Sequence, residues 1–508
     1  MQRILDLPLL VILMGIGALA MFVPAAHALV LDQHAVARPF FYGGVMTLIM
    51  TAMIGIATAN YLPRNPARSH LEALLGAYIV LPFMLAVPFH QAVPDTSYLN
   101  AWFEMISSFT TTGATLYDTP GRLPPSVHLW RALVGWLGGF FVLVAAVAIL
   151  APMSLGGMEV ISGQAPGRGV AGTNQITRIA DPSERITRYT LALFPAYGAL
   201  TVLLWLGLSI TGEAALVALT HAMGTLSTSG ISPGAGGPGL PGSTAGLAGE
   251  AMIFVFLIVA VTRRALPGAI MVDRSSRFLD DPEVRMAAFF LLAVPLALFL
   301  RHWLGAIETD EMRNLAAAAH ALWGALFTTL SFLTTTGYQS ADWGAARSWS
   351  GLGTPGLILL GLALVGGGVA TTAGGVKLLR VYALFRHAER ELERIVHPNS
   401  IGGAGTAARR MRGEGAYVAW IFFMLFAFSI AIVTAALALT GLEFEPSMVL
   451  TIAALTTTGP LAGTAAETPV SWSALGPAAK VVLGAAMVLG RMETLAILAL
   501  LAPAGWRK

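Results

Sequence analysis

Three consecutive hydroxyl residues run into a glycine at four places in this 508-residue chain: Thr110-Thr111-Thr112-Gly113, Ser227-Thr228-Ser229-Gly230, Thr334-Thr335-Thr336-Gly337 and Thr456-Thr457-Thr458-Gly459. The chemistry open to them is coordination of a dehydrated cation, since rings of backbone carbonyls replace an ion's water shell inside a membrane. Glycine permits backbone angles that turn successive carbonyls one way, and its missing side chain keeps the wall close. Threonine hydroxyls can add ligands or brace the strand from behind. One such run alone is an ordinary helix C-terminus with a glycine cap. Four in register, with glycines 117, 107 and 122 residues apart and a large apolar residue before each (Phe109, Leu226, Leu333, Leu455), form a fourfold internal repeat.

Other chemistries find less support. The chain has no cysteine, which excludes a disulfide framework, a thiol nucleophile and thiolate metal sites. It has no H-E-x-x-H, no G-x-G-x-x-G and no P-loop, so it lacks a nucleotide site of its own. A net charge of +3 comes without the basic, aromatic-interleaved surface of a nucleic-acid binder. His221 and His320 have no ligand spacing to one another and read as packing or vestibule residues. Ser229-Gly230 near His221 leaves room for an intramembrane serine hydrolase, a reading that abandons the other three runs.

The elements that position the runs follow from hydropathy. With 56% hydrophobic and 11% charged residues and a mean hydropathy of +0.72, the composition is that of an all-α membrane protein. At about 20 residues per crossing, spans are expected at Leu7–Val23, Phe40–Ala59, Leu71–Phe89, Leu129–Ala151, Tyr189–Ile210, Ala245–Val261, Val284–Leu304, Leu352–Val381, Ala416–Leu439 and Ala478–Leu501. Four stretches ending at the runs, Tyr98–Phe109, Ala214–Leu226, Leu315–Leu333 and Pro446–Leu455, are mostly too short or too mixed to cross and read as re-entrant half-helices. A half-helix stopping in mid-membrane aims its partial negative C-terminus at a central cation. Extended backbone at that depth is tolerated only where it lines a water-filled cavity or is buried in protein. Residues 1–65 form a two-helix hairpin, followed by repeats at 66–155, 156–265, 266–395 and 396–508. Arg3, the first apolar run and Ala26-His27-Ala28 together look like a signal peptide. The length of that run and the second span directly after it favour an uncleaved hairpin.

Charge sets the orientation. With the N-terminus inside, 22 of the 30 basic residues fall on the inner side, seven on the outer, and only Arg491 lies deep in a span. Both termini are then cytoplasmic. The runs lie on the outer side, which carries 13 acidic against 7 basic groups. Such a vestibule either concentrates cations or merely carries solvated loop carboxylates.

In the third return helix Gly366-Gly367-Gly368 and Gly374-Gly375 flank a stretch containing Thr371 and Thr372. At about 1 kcal/mol per glycine relative to alanine, the helix is expected to unwind over Gly366–Gly375. Close packing through small residues is the other use of such a stretch. Lys377 stands either at an inner pore mouth or at the membrane edge. Arg491, an intramembrane charge, needs a partner. Glu493, about 200° further round the helix, is not positioned to be it.

At these residues the chain resembles the potassium-translocating subunits of the Trk/Ktr/HKT superfamily, and within it the bacterial TrkH-type proteins. The likeness runs over essentially the whole chain and includes Trp136-Leu137-Gly138-Gly139, Gly156-Gly157-Met158, Thr371-Thr372-Ala373-Gly374-Gly375-Val376-Lys377 and Gly490-Arg491-Met492-Glu493. It implies two N-terminal helices plus four M1-P-M2 repeats in one pseudo-tetrameric pore, with the four runs as selectivity filter and Gly113, Gly230, Gly337 and Gly459 as its glycines. It further implies potassium and rubidium as transported ions, no cofactor in this chain, and a gate made by the Gly366–Gly375 loop with Arg491 projecting toward it. A homodimer, a cytosolic RCK-type nucleotide-binding subunit and residence in the bacterial inner membrane belong to the same implication. The basic stretch from Arg386 to Arg412 would be a docking face or a contact with anionic lipid. In the wider family a serine in place of a filter glycine accompanies sodium permeation. All four positions are glycine here, although Ser227 and Ser229 replace threonines and Pro460 follows the fourth glycine. Gated passive flow and proton- or sodium-coupled symport both remain open.

Overall fold

A computed structural model describes residues 7–59, 66–162, 182–234, 243–265, 278–305, 315–350, 356–397, 413–466 and 468–501. Several expectations lie outside these residues, among them the basic stretch at 398–412, the loop arginines at 168, 178, 274 and 277, and both chain ends.

Among the described residues seven helices are long and apolar enough to cross a membrane. Helices α1 (Leu9–Ala20) and α2 (Phe22–Val30) make one span, and α3 (His34–Thr58) returns it. The signal-peptide-like residues Ala26–Ala28 lie within α2, where His27 Nδ1 is 2.8 Å from Ser126 Oγ. In the first repeat, α4 (Pro66–Ala92) leads to the half-helix α5 (Tyr98–Phe109), and α6 (Pro125–Ala145) returns. Ser97 caps α5 by accepting the Asn100 N–H at 3.2 Å, and Pro125 opens α6 at a position where its missing N–H costs nothing. A π-turn over Ala146–Leu150 and a 3-10 turn over Ala151–Met153 then lead to the short α7 (Glu159–Ser162).

The second repeat is α8 (Pro182–Ile210), half-helix α9 (Ala215–Leu226) and α10 (Gly246–Leu257), which continues as a 3-10 turn to Ala260. The third is α11 (Pro282–Gly305), half-helix α12 (Leu315–Leu333), a surface helix α13 (Trp343–Ser350), and a return helix split into α14 (Gly356–Val365) and α15 (Leu378–Val396). The fourth is α16 (Gly413–Ala438), half-helix α17 (Phe444–Leu455) and a return helix broken at Glu493 into α18 (Pro477–Met492) and α19 (Thr494–Leu501). Ten crossings were expected, the third return helix unwinding over Gly366–Gly375, and it does break there, between α14 and α15. The return helices of repeats two to four differ: one is short and two are broken, at glycine-rich or strained backbone.

Packing closes a ring. In every repeat the half-helix lies against the helix that enters it and the helix that leaves it. Each leaving helix also packs on the next half-helix: α6 on α9, α10 on α12, α14 on α17, and α18 back on α5. Four M1-P-M2 units therefore surround one axis. The N-terminal helices stand outside this ring against α4 and α6.

Candidate ion-conduction site

The four runs share one backbone geometry. The second hydroxyl residue is in the left-handed region every time, with φ of 54° at Thr111, 52° at Thr228, 57° at Thr335 and 54° at Thr457. Its N–H and the next one reach back to half-helix carbonyls. Thr111 N–H donates to Ser108 O at 2.9 Å and Thr112 N–H to Ser107 O at 2.8 Å, and the same pair recurs in the other three runs. This is a Schellman helix end with threonine where glycine is usual. A left-handed β-branched residue is strained by about 1–2 kcal/mol, so the fold sustains that cost four times. The glycines are displaced from the cap and stand two residues beyond it.

The flanking hydroxyls are equally regular. The first donates to the carbonyl one turn back, Thr110 to Ile106 at 2.7 Å and Ser227 to Met223 at 2.7 Å, and pairs with the third, at 2.9 Å in both runs. Runs three and four repeat both contacts. Serine supplies the same hydroxyl as threonine here, so Ser227 and Ser229 leave the strand geometry unchanged. Only the middle residue is threonine in all four runs.

The runs touch in sequence around the axis. Gly113 lies against the Ser229 carbonyl, Gly230 against that of Thr336, Gly337 against Pro460, and Gly459 against Ala114. A side chain at Gly113 would enter the Ser229 carbonyl, which is why that position takes glycine. The ring is not symmetric in detail. Gly459 N–H donates to Thr112 O at 2.6 Å and Pro460 turns the strand into a 3-10 helix, so the fourth run leans on the first.

The two faces of the ring differ. All four glycines line one cavity of about 390 Å³, together with Thr115, Asp118, Ser232, Gln339 and Trp472. Of the carboxylates near it Asp118 is an exposed loop group, whereas Glu104 and Glu250 are buried. Glu104 is buried, pairs with Arg131 at 2.7 Å and accepts the Leu116 N–H at 2.6 Å. Glu250 accepts from Trp323 Nε1 at 2.9 Å, Ser340 Oγ at 2.6 Å and Ala341 N at 2.7 Å. The two histidines are polar anchors: His221 bridges Glu213 at 2.9 Å and Ser232 at 3.0 Å, and His320 meets Asp342 at 2.9 Å. These acidic groups tie the strands that follow the runs to the surrounding helices.

The opposite face holds about 30 Å³ of open space, lined by Ala370, Thr371, Gly374, Lys377 and Arg491 among others. Residues 366–377 leave α14, pass beneath the runs and return to α14's last carbonyls, where Val376 N–H donates to Leu364 O and Lys377 N–H to Val365 O, both at 2.9 Å. The loop engages two runs and the residue that precedes a third. Thr372 Oγ1 donates to Leu226 O at 3.2 Å, Gly374 N–H donates to Thr335 Oγ1 at 2.7 Å, and Gly374 lies against the Thr456 carbonyl. The first run is met by Arg491, which donates to Thr111 Oγ1. The partner that Arg491 needs is a hydroxyl of the ring itself. Lys377 is buried and donates to Ala373 O within the loop.

Buried carboxylates hold the loop from both sides. Glu283, at the start of α11, accepts the Val369 N–H at 2.7 Å. Beyond the loop, Arg380 Nε meets Glu159 at 2.6 Å and Arg380 Nη2 meets Glu493 at 2.7 Å, while its guanidinium lies 3.6 Å over the Phe422 ring. The positive-inside pattern puts Arg380 on an inner segment, yet it and Glu283 are fully buried. An acidic residue directly after Gly156-Gly157-Met158, and another inside the last apolar span, were the available signals.

Fold and site together define a multi-pass membrane protein in which four re-entrant helices present hydroxyl-glycine strands to one axis. The chain belongs to the TrkH family of cation transport proteins, whose model matches residues 40–233 and 252–506. It is 28% identical over 498 residues to the Trk system potassium uptake protein TrkH of Escherichia coli K12, covering 96% of each chain. It is also 28% identical to the Salmonella typhimurium protein of that name, over 92% of this chain and 93% of the other. The crystal structure of the potassium transporter TrkH from Vibrio parahaemolyticus superposes with a TM-score of 0.79 at 26% identity, covering both chains completely.

Proposed function

We propose that this protein is the membrane subunit of a Trk-type potassium uptake system. It passes potassium, and rubidium of similar size, through a gated pore whose selectivity filter is the ring of four hydroxyl-glycine runs. The observation that carries this reading is the contrast across the ring: every filter glycine opens on one shared cavity, while from the other face the 366–377 loop or Arg491 engages each run or, for the second, the Leu226 carbonyl just before it. The glycine side is the extracellular vestibule. The loop is the gate and is held shut in this conformation, with Gly366, Gly367, Gly368, Gly374 and Gly375 giving it the freedom to move. Both termini are cytoplasmic, the unit dimerises, and an RCK-type nucleotide-binding subunit on the inner surface drives opening.

All four repeats run in the same direction around one axis, which supports a pore over a coupled carrier built from inverted repeats. The test is rubidium uptake into liposomes under potassium, sodium and lithium competition, with and without an imposed proton gradient. Potassium-blocked uptake that needs no gradient is expected; strict dependence on a proton or sodium gradient would replace the pore by a symporter.

A further inference from the structure

A cavity of about 330 Å³ lies outside the ring, between α1, α4, α6 and α8. Its wall is almost entirely hydrocarbon, and the indole N–H of Trp130 is already bonded to Leu85 O at 3.3 Å. The lining on α6 and the π-turn that continues it extends from Trp130 to Ile149, roughly 28 Å at 1.5 Å per residue. A helix of that length, ~10 Å across, needs on the order of 2,000 Å³, so no protein segment of that kind fits. The slot accepts a single thin apolar chain. Its four walls are membrane-spanning helices, so its occupant arrives from the bilayer. One end lies at the first turns of α8, where Thr187 and Thr190 line it and Arg188, between them in sequence, is exposed.

We infer that this slot holds one acyl chain of an anionic phospholipid whose headgroup sits at Arg188. Length and width select the chain, and the cationic end selects the headgroup. The site reaches the ring through Phe109, which lines the slot and directly precedes Thr110. The Phe109 ring stacks on Phe141 at 5.8 Å and tilts against Tyr78 at 5.3 Å, and its carbonyl is pressed against Gly138. A filled slot gives this aromatic cluster packing partners on its outer side, whereas a void there forfeits those dispersion contacts. The lipid is therefore a structural ligand that steadies the first run.

The full-length protein, reconstituted in vesicles doped with a diazirine-tailed phosphatidylglycerol, is irradiated and its adducts are mapped by mass spectrometry. Adducts are expected on the α1, α6 and α8 lining residues. Leu13→Trp, which fills the slot, should remove them, while Leu19→Trp, exposed on the same helix and outside the lining, should keep them. Arg188→Gln should erase the preference for phosphatidylglycerol over an equally labelled phosphatidylcholine. Wild-type adducts spread evenly over the lipid-facing surface would overturn the site whether or not the variants fold. Stronger labelling by a free diazirine fatty acid than by either phospholipid would overturn the headgroup assignment.

Discussion

The two faces of the hydroxyl-glycine ring are made from the same four strands and behave as opposites. One opens on a cavity of about 390 Å³, and the other leaves about 30 Å³ beneath a loop. The open face is fastened by buried carboxylates that belong to the same or the neighbouring repeat, such as Glu104 with Arg131 and Glu250 with Ser340. The closed face is fastened within the third repeat by Glu283 to Val369, and between repeats by Arg380 to Glu159 and Glu493 and by Arg491 to Thr111. Strain follows the same division. Among the described residues nine non-glycine positions have positive φ, and seven of them are the four middle threonines, Ala370, Lys377 and Glu493. Backbone strain of this kind persists only where the surroundings over-determine it, and most of these positions lie in the ring, in the loop or at the break beside Arg491.

The largest effect should come from breaking the ring itself. Gly113→Ser and Gly337→Ser each push a side chain into the neighbouring strand, and potassium-over-sodium preference in liposome flux should fall by about tenfold or more, equivalent to ~1.4 kcal/mol. Unchanged selectivity in both variants, with normal thermal melts, would mean the four strands do not act as one filter.

Next in size is the release of the closed face. Gly374→Val cannot fit beneath the Thr456 carbonyl, so the loop should leave its seat and basal rubidium flux should rise several-fold with selectivity retained. A fall in flux would reverse the gate assignment. Arg491→Gln removes a positive charge facing the runs and weakens the bond to Thr111; flux should rise by less than with the displaced loop, and a charge-retaining Arg491→Lys should restore part of the block.

Smaller still is the loop's anchor. Glu283→Gln keeps the shape but replaces a charged acceptor of the Val369 N–H, a change on the order of 1–2 kcal/mol, read as faster hydrogen exchange across 366–377 with the ring unaffected. The control is the exposed pair Arg386–Glu389 on α15. Alanine at either residue should move stability by well under about 1 kcal/mol, and a large effect on flux would identify that surface as part of the gating apparatus.

Much of this was legible along the chain because it is local. Hydropathy gives the helices, a half-helix ends wherever a hydroxyl run follows a large apolar residue, and five glycines between Gly366 and Gly375 break a helix whatever surrounds them. α5 and α12 span the residues expected from sequence. Pattern alone did not reveal that the cap residue is threonine rather than glycine, because Thr-Thr-Gly has the composition of a glycine-capped end and only the closed ring makes the strained alternative preferable.

The sequence by itself determined that four equivalent strands exist, which helix is weakest, and that Arg491 needs a partner inside the membrane. Tertiary structure alone decided the partners. Arg491 and Thr111 are 380 residues apart, Arg380 and Glu159 are 221 apart, and Glu283 and Val369 are 86 apart. Burying a charge without a partner costs several kcal/mol, so each of these residues announces a need, but no local pattern says which distant helix meets it. That is fixed only when the fourth repeat closes on the first.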